Sequence, residues 1–287
     1  VQAMDLADKL EIKIVDELSK IQVNALVWEH PGNTLNSDMS RILETFFKLR
    51  FSSDKAEDER NPAEIINSMK DWLDTNDDDA VSGLSGAESD YYLGLEPPYS
   101  CANQPFNHVD ELLNVKGIDA DLLKKEDQDT EEDIDDQGEE KQAKPLEFSD
   151  VFTVYGLSSQ KGEQGGYRYG GKININTANL DVLQALMPEG MEDMAQDLVD
   201  FREEKGEEED VFINTLDKGW YKKVIGLSEK EQKRLDKIIV YASHIFRVEC
   251  TALENQSRIT FTAVLKREKV KESGKWDCRI LQIERKA

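Results

Sequence analysis

Cysteine and histidine are scarce in this chain, whose 287 residues include three of each. Cys101, Cys250 and Cys278 show neither C-x-x-C nor His–Cys ligand spacing, which argues against a zinc site. An odd number of cysteines allows at most one internal disulfide. Cys250 and Cys278 are expected on the first and third strands of one sheet, about 10 Å apart, which is too far for a disulfide. We therefore expect free thiols.

Long hydrophobic runs are also missing. No apolar stretch approaches the ~20 residues that a membrane-spanning helix needs. A signal-peptide pattern is not present either, and the chain starts at Val1 instead of Met. We therefore expect a processed or truncated soluble piece of a longer protein.

Positive charge is in short supply. Lys and Arg total 36 against 60 Asp and Glu, so the formal net charge is -24. Binding to a nucleic-acid backbone needs Lys and Arg to displace counterions, and an anionic membrane surface would repel such a chain. At 38% hydrophobic residues the chain can still bury a core, as one large domain or two ordinary ones.

Patterns typical of catalysis are absent as well. His30, His108 and His244 lie in unrelated sequence contexts, and none has a nucleophile or carboxylate partner at motif spacing. The glycine-rich connector over residues 156–171 does not form G-x-x-x-x-G-K-[ST], which argues against a phosphate-binding loop. The sequence predicts a protein that is not an enzyme, with no catalytic residue and no organic cofactor.

The most informative feature that is present is an acidic loop, DWLDTNDDDAVSGLSGAESDYYLGLEPPY. The spacing Asp74-x-Asn76-x-Asp78 offers alternating oxygen atoms to one hard cation, and Ca²⁺ accepts such ligands in flexible geometry. Glu88 and Asp90 follow before an aromatic pair. So many carboxylates in a short span repel one another unless something neutralises them.

This loop does not match an EF-hand. Its sixth position is Asp79 where an EF-hand has Gly, and its twelfth is Ser85 where an EF-hand has Glu. The residues alone leave two interpretations open, an irregular calcium loop and a solvated acidic turn. The aromatic pair and the Pro-Pro-Tyr segment favour the ordered loop.

Hydrophobic periodicity predicts an α+β fold. Residues 10–25 alternate in two short runs typical of a hairpin, and three further alternating strands follow residue 242. Helical spacing dominates between them, with helices predicted over 35–51 and 62–73. We predict one sheet built from both chain ends, over residues 1–25 and 243–287, interrupted by a large α-helical domain over residues 26–242.

Two segments of that domain stand apart. Residues 119–144 carry many like charges and few apolar residues, which predicts a mobile surface insertion. Residues 172–205 resemble a helix-hairpin-helix, so a DNA-binding module is the alternative function. Their local charge of -5, from eight acidic and three basic residues, and a single glycine in the turn disfavour it. We therefore expect this pair of helices to serve packing and the chain to bind no nucleic acid.

Three ordered motifs carry a resemblance to a known family. They are VDELSKIQVNAL near the start, the acidic loop continued by SCANQPF, and FTVYG followed by GKININTANLDVLQAL. Together they resemble the type II secretion system minor pseudopilin K family (GspK-type), over most of the chain except the acidic insertion. The resemblance implies a pilin-like antiparallel sheet with a large inserted α-helical domain.

The resemblance also implies a function and a location. A family member takes part in protein export at the pseudopilus tip, in complex with the I-type and J-type minor pseudopilins. It is periplasmic and is anchored in the inner membrane of a Gram-negative bacterium by a hydrophobic N-terminal helix, which would precede Val1. The family binds calcium in its helical domain. Carried onto this sequence, the implied ligands are Asp74, Asp77, Asp78, Glu88 and Asp90, with Asn76 and Asp79 in reserve.

Overall fold

The computed structural model describes residues 10–51, 60–77, 85–123, 146–162, 165–206, 211–254, 257–270 and 273–286. The α-helices are α1 Ser37–Phe51, α2 Pro62–Leu73, α3 Ser89–Leu93, α4 Phe148–Val151, α5 Leu180–Leu186, α6 Met194–Glu203 and α7 Glu229–Ile238. The strands are β1 Leu10–Asp16, β2 Ile21–Gln22, β3 Phe152–Thr153, β4 Leu157–Lys161, β5 Tyr167–Tyr169, β6 Ile173–Asn174, β7 Ile239–Val240, β8 Ile245–Glu254, β9 Ser257–Lys269 and β10 Trp276–Lys286. Short 3₁₀-helices cover Glu17–Ser19, Val23–Leu26, Val109–Asn114 and Trp220–Lys223. The predicted α+β class is confirmed.

The helices begin where the sequence carries capping residues. The Asn61 side chain accepts a hydrogen bond from Ala63 N–H at the start of α2, directly before Pro62. Asn179 caps α5 in the same way, and Ser228 and Glu231 form a reciprocal capping box on α7. The faces that these helices turn inward join one continuous hydrophobic core. The predicted helices over 35–51 and 62–73 are confirmed.

The largest sheet has four antiparallel strands in the order β1-β8-β9-β10. It unites one strand from near the start of the chain with three from its end, as the alternating patterns predict. The hairpin predicted within residues 10–25 is wrong, however. β1 pairs with β8, whereas β2 leaves the sheet and pairs in parallel with β3. An alternating apolar run specifies a strand but not its partner.

Residues 16–24, in which polar and apolar residues are mixed, join the sheet to the helical part of the protein. We call this stretch the buried polar segment. One oxygen of Asp16 accepts hydrogen bonds from Asn174, Thr177 and Ser243 at 2.6–2.8 Å. The Asn24 side chain donates to the carbonyls of Phe106 and Val154 and accepts from Phe106 N–H. These bonds tie distant parts of the chain to its beginning.

The two faces of the large sheet differ. Val264 is buried with Leu18 and Ile245 on the side that packs against the protein. The opposite face carries Ile12, Ile14 and Ile283, each more than 60% exposed. No helix in the described part of the chain is long and apolar enough to cross a membrane. The domain limits at residues 25 and 242 stay predictions.

The other segments predicted from sequence have the following places. Residues 124–144 of the predicted acidic insertion lie outside the described residues. Its first residues are described, and there the prediction of a surface segment is wrong, because Leu122 and Leu123 are buried in the hydrophobic core. The helix-hairpin-helix-like pair is α5 and α6, and its inward faces belong to the hydrophobic core. All three cysteines are free. Cys250 and Cys278 lie opposite different residues of β9, Phe261 and Arg267, so they occupy different rows of the sheet.

Candidate functional site: a carboxylate cluster at the end of helix α2

The last turn of α2 carries two buried acids. Asp71 and Asp74 are both fully buried, next to the buried Trp72 and Leu73. Their i, i+3 spacing places the two carboxylates on one side of the helix. Burial of a carboxylate is costly unless it is paired or hydrogen-bonded. The cluster therefore needs partners from elsewhere in the chain.

Lys70 supplies one positive charge. Its ammonium lies 2.5 Å from Asp74 Oδ2 and 4.0 Å from Asp71 Oδ1. Burial raises the pKa of the Asp74 carboxyl, and Lys70 opposes that rise through a hydrogen bond and its charge. The i, i+4 spacing of Lys70 and Asp74 makes this pair a local product of the helix. One ammonium nevertheless faces more than one carboxylate.

Backbone amides on the far side of the loop complete the contacts of two of the acids. Ala87 N–H donates to Asp71 Oδ2 at 2.9 Å, and Ser89 N–H donates to Asp77 Oδ1 at 3.1 Å. Asp71 thereby contacts the segment that leads into α3, sixteen residues further along the chain. The two ends of the acidic loop are held together around the carboxylates.

Glu88 is the exception. It is 6% exposed, and among the described residues neither of its two carboxylate oxygens has a hydrogen-bond partner. Its backbone carbonyl caps α3 by accepting from Tyr91 and Tyr92 N–H, so the carboxylate takes no part in the cap. Burial, and then the charges of Asp71, Asp74 and Asp77, raise the pKa of Glu88 to about 8. A buried acceptor without a donor is rare in native proteins and points to a missing partner.

Aromatic side chains fix the position of α3 beside the cluster. Trp72 of α2 packs edge-on against Tyr92 of α3, at 5.2 Å between ring centroids, and stacks on Phe106. Tyr99 packs on the same two rings, Trp72 and Tyr92. The Tyr92 hydroxyl accepts from Lys116 N–H. These contacts hold α3, and with it the backbone of Glu88 that precedes α3, beside the end of α2.

The predicted ligands do not all meet. Asp74, Asp77 and Glu88 lie in one electrostatic neighbourhood, in which both aspartates act on Glu88. Asp90 is exposed on the first turn of α3, and the reserve Asn76 donates its N–H to Asp74 Oδ1 at 3.3 Å. Asp78 and the second reserve, Asp79, lie outside the described residues. Among the described residues no three His, Cys, Asp or Glu side chains converge tightly enough to hold a metal ion.

Sequence reasoning missed two members of the cluster, Asp71 and Lys70. Both lie in α2, before the Asp74-x-Asn76-x-Asp78 spacing from which the ligands were predicted. The i, i+3 and i, i+4 relations to Asp74 were the available signal. The charges of three aspartates (Asp71, Asp74 and Asp77) act on Glu88, and the charge of Lys70 opposes them. The unpartnered oxygens of Glu88 are ligands that Ca²⁺ accepts.

The segment that contains this cluster matches a protein-family model. Residues 19–126 match the first domain of "Type II secretion system (T2SS), protein K". The match includes the buried polar segment from Ser19 onward and the whole acidic loop. Of the motifs that carry the resemblance, VDELSKIQVNAL therefore lies largely inside the matched region, and the acidic loop with SCANQPF lies wholly inside it.

Curated relatives match over shorter stretches. Type II secretion system protein K of Aeromonas hydrophila is 42% identical over 59 residues, which cover 21% of this chain and 17% of the relative. The protein of the same name from Klebsiella pneumoniae is 36% identical over 62 residues, 22% of this chain and 18% of the relative. The aligned stretches thus span less than a fifth of either relative.

A solved structure matches the fold across nearly the whole chain. It is the crystal structure of the GspK-GspI-GspJ complex from the type 2 secretion system of enterotoxigenic Escherichia coli. The TM-score is 0.58 at 17% identity, and the match covers 97% of this chain and 80% of the matched one. At that identity the likeness concerns the fold. With the family match at residues 19–126, it confirms the resemblance of this chain to the type II secretion system protein K family.

Proposed function

We propose that this chain is the periplasmic part of a minor pseudopilin of the type II secretion system. It assembles with the I-type and J-type minor pseudopilins and caps the tip of the pseudopilus, without catalysing a reaction. The observation that carries the proposal is the family match at residues 19–126 together with a shared fold over 97% of the chain. In the full-length precursor a hydrophobic N-terminal helix anchors the protein in the inner membrane of a Gram-negative bacterium.

The architecture supports a capping role. The helical part lies beside a four-stranded sheet and buries most of the core residues, so it adds bulk to one side of a small sheet. A protomer with such bulk hinders the addition of another protomer above it. Capping therefore follows from shape and needs no catalytic group.

Two experiments test this role. The chain is mixed with the I-type and J-type minor pseudopilins of the same bacterium, and the mixture is separated by size-exclusion chromatography. We expect one peak that contains all three proteins. The full-length gene is then returned to a strain from which it was deleted, and secretion is measured. Separate elution together with undiminished secretion in the deletion strain would contradict the role.

We propose further that the carboxylate cluster holds a structural calcium ion. Asp74, Asp77 and Glu88 would hold it from the described residues, and the sequence adds Asp78; Asp90, which is exposed, would contribute least. Calcium supplies positive charge that offsets carboxylate repulsion, and it stabilises the folded state by mass action. The support is the buried Glu88 carboxylate, whose oxygens have no partner among the residues that the structure describes and whose pKa is raised by neighbouring acids.

Calorimetric titration with calcium tests this second proposal separately from the first. We expect saturable binding to the parent protein and loss of binding in Glu88→Gln, which keeps the size of the side chain. The matched control is Glu189→Gln, which removes one exposed carboxylate from the turn between α5 and α6. Equal binding by both variants would contradict a site that contains Glu88.

A further inference from the structure

A second feature of the surface opposes the overall charge of the protein. A cleft of about 1020 Å³ lies where the helical part meets the sheet. Its walls come from α1, from β4 and β5, from the end of α7 and from the end of β9. This volume is at the upper end of the range of ligand-binding clefts. The cleft is remote from the carboxylate cluster in sequence and shares none of its residues.

Basic side chains dominate the cleft. Five basic residues line it against two acidic ones, a local charge of +3 in a chain whose net charge is -24. The basic residues are Arg168, Lys172, Lys237, Lys266 and Lys269, and the acidic ones are Asp38 and Glu268. In the whole chain acidic residues outnumber basic ones, so an excess of basic residues in the cleft is the opposite of what the composition predicts.

The acidic residues of the cleft already have partners. Glu268 pairs with Lys266, and Asp38 lies 3.7 Å from Arg234, which is not part of the cleft lining. Arg168 is likewise paired, with Glu29 at 2.7 Å. The acidic residues of the cleft are therefore paired with residues other than its remaining three lysines.

Three lysines remain: Lys172, Lys237 and Lys269. In the described part of the chain no carboxylate lies within ion-pair distance of any of their ammonium groups. The Lys172 ammonium donates to the carbonyl of Lys237, which leaves its charge uncompensated. All three side chains are exposed, so an incoming ligand can reach them.

The floor of the cleft is apolar. Leu18, Met39 and Ile238 are buried beneath it, and Trp28 is half exposed with the Arg168 guanidinium over its ring at 5.4 Å. We propose that this cleft is a docking site for an acidic polypeptide segment of a partner protein. Carboxylates of that segment pair with Lys172, Lys237 and Lys269, while an apolar side chain packs on the floor.

Charge and shape favour a peptide over other anions. A single phosphate would occupy a small part of such a volume and would leave the apolar floor uncovered. A duplex nucleic acid or an anionic bilayer would bring extended negative charge against a chain whose net charge is -24. An acidic segment with apolar side chains meets both requirements. The proposal stands independently of the secretion role and of calcium.

Fluorescence anisotropy tests the proposal with defined probes. The probe is a short labelled peptide in which Glu and Leu alternate, and the reference probe has Gln in place of Glu. We expect the Glu peptide to bind in a salt-dependent manner and the Gln peptide to bind much more weakly. In the double variant Lys237→Glu with Lys269→Glu, affinity for the Glu peptide falls about tenfold or more.

A matched control separates the cleft from net charge. Lys218→Glu with Lys230→Glu changes the net charge by the same amount at two exposed lysines outside the cleft. This control keeps the affinity of the parent protein if the proposal is right. Equal loss in both double variants would overturn it. Tighter binding of inorganic phosphate or of phosphatidylglycerol vesicles than of the Glu peptide would also overturn it. So would peptide binding that requires removal of residues 126–140, because the chain's own acidic run would then be the occupant.

Discussion

Two regions of this molecule bury polar side chains, and they do so in opposite ways. In the buried polar segment, the side chains of Asp16 and Asn24 have several hydrogen-bond partners each. In the carboxylate cluster, Glu88 is buried, and its oxygens have no hydrogen-bond partner in the described part of the chain. The satisfied region ties distant parts of the chain together, whereas in the unsatisfied one we propose that a bound cation supplies the missing partner. Burial of a polar group thus has to be interpreted through its partners.

The largest effect is expected from the satisfied region. Asn24→Ala removes three hydrogen bonds and leaves the Phe106 amide and two carbonyls buried without partners. We expect a loss of about 3–5 kcal/mol in the free energy of unfolding, measured by denaturant titration. Asn33→Ala, at an exposed asparagine, is the control and should cost less than about 0.5 kcal/mol. A loss that small for Asn24→Ala would remove the distinction between the two regions.

The unsatisfied region should respond with the opposite sign. The pKa of Glu88 is raised from 4.5 to about 8 in the folded state. The contribution of this group to the free energy of unfolding is therefore fully present below pH 4.5 and is lost as the pH rises towards 8. Glu88→Gln removes the ionisable group. Without calcium at pH 8, we expect it to raise the free energy of unfolding by about 2 kcal/mol and to have little effect near pH 4. Destabilisation at pH 8 would show that the ionised carboxylate has a partner after all.

A third buried polar group lies between these extremes. His30 is buried and uses Nε2 to donate to the Asn24 carbonyl at 2.9 Å, while no described residue is a hydrogen-bond partner of its Nδ1. Burial lowers the pKa of His30 below 6.5, so its contribution to stability is present above pH 6.5 and is lost as the pH falls through the folded-state pKa.

We expect His30→Phe to flatten the fall in stability between pH 6.5 and pH 5. The comparison is made in a Glu88→Gln background, so that the titration of Glu88 does not contribute. Unfolding free energies at several pH values provide the measurement, and His108→Phe, at an exposed histidine, provides the control. Identical slopes in both variants would mean that His30 is already solvated.

The smallest effect is expected at Asp90. It is exposed and is not among the charges that shift Glu88. Asp90→Asn should change the free energy of unfolding by less than about 0.5 kcal/mol without calcium. In calcium titrations it should weaken binding far less than Glu88→Gln does. A loss of binding as large as that of Glu88→Gln would place Asp90 in the site and would favour the ligand set implied by the family resemblance.

Much of this fold follows from local patterns. The helices over Ser37–Phe51 and Pro62–Leu73 follow from apolar spacing and capping residues, and β8, β9 and β10 from alternation. The pairing of β2 with β3 does not, because Ile21 and Phe152 are far apart in the chain and nothing local selects one partner over another. The hydrogen-bond partners of the buried polar segment are equally remote in the chain. Its sequence alone therefore does not show that its polar side chains are buried.

The candidate site shows the same limit. The position of the acidic loop and the placement of Asp74, Asp77 and Glu88 near one another agree with the spacing of the sequence. The burial of Asp71 and the exposure of Asp90 depend on how α3 packs against Trp72. That packing is a tertiary contact, which residue types and spacing do not reveal. Residue spacing therefore indicates that an acidic loop brings carboxylates together, but it does not show which of the acids belong to the cluster.

Thermal melting with and without calcium tests the central claim most directly. The parent protein and Glu88→Gln are melted at pH 8, first with a chelator and then with excess calcium. We expect calcium to raise the Tm of the parent by several degrees, because a few kcal/mol of binding energy stabilises the folded state, and to leave the Tm of Glu88→Gln unchanged. An unchanged Tm of the parent, or an equal rise in both proteins, would contradict the claim that the unpartnered carboxylate of Glu88 belongs to a cation site.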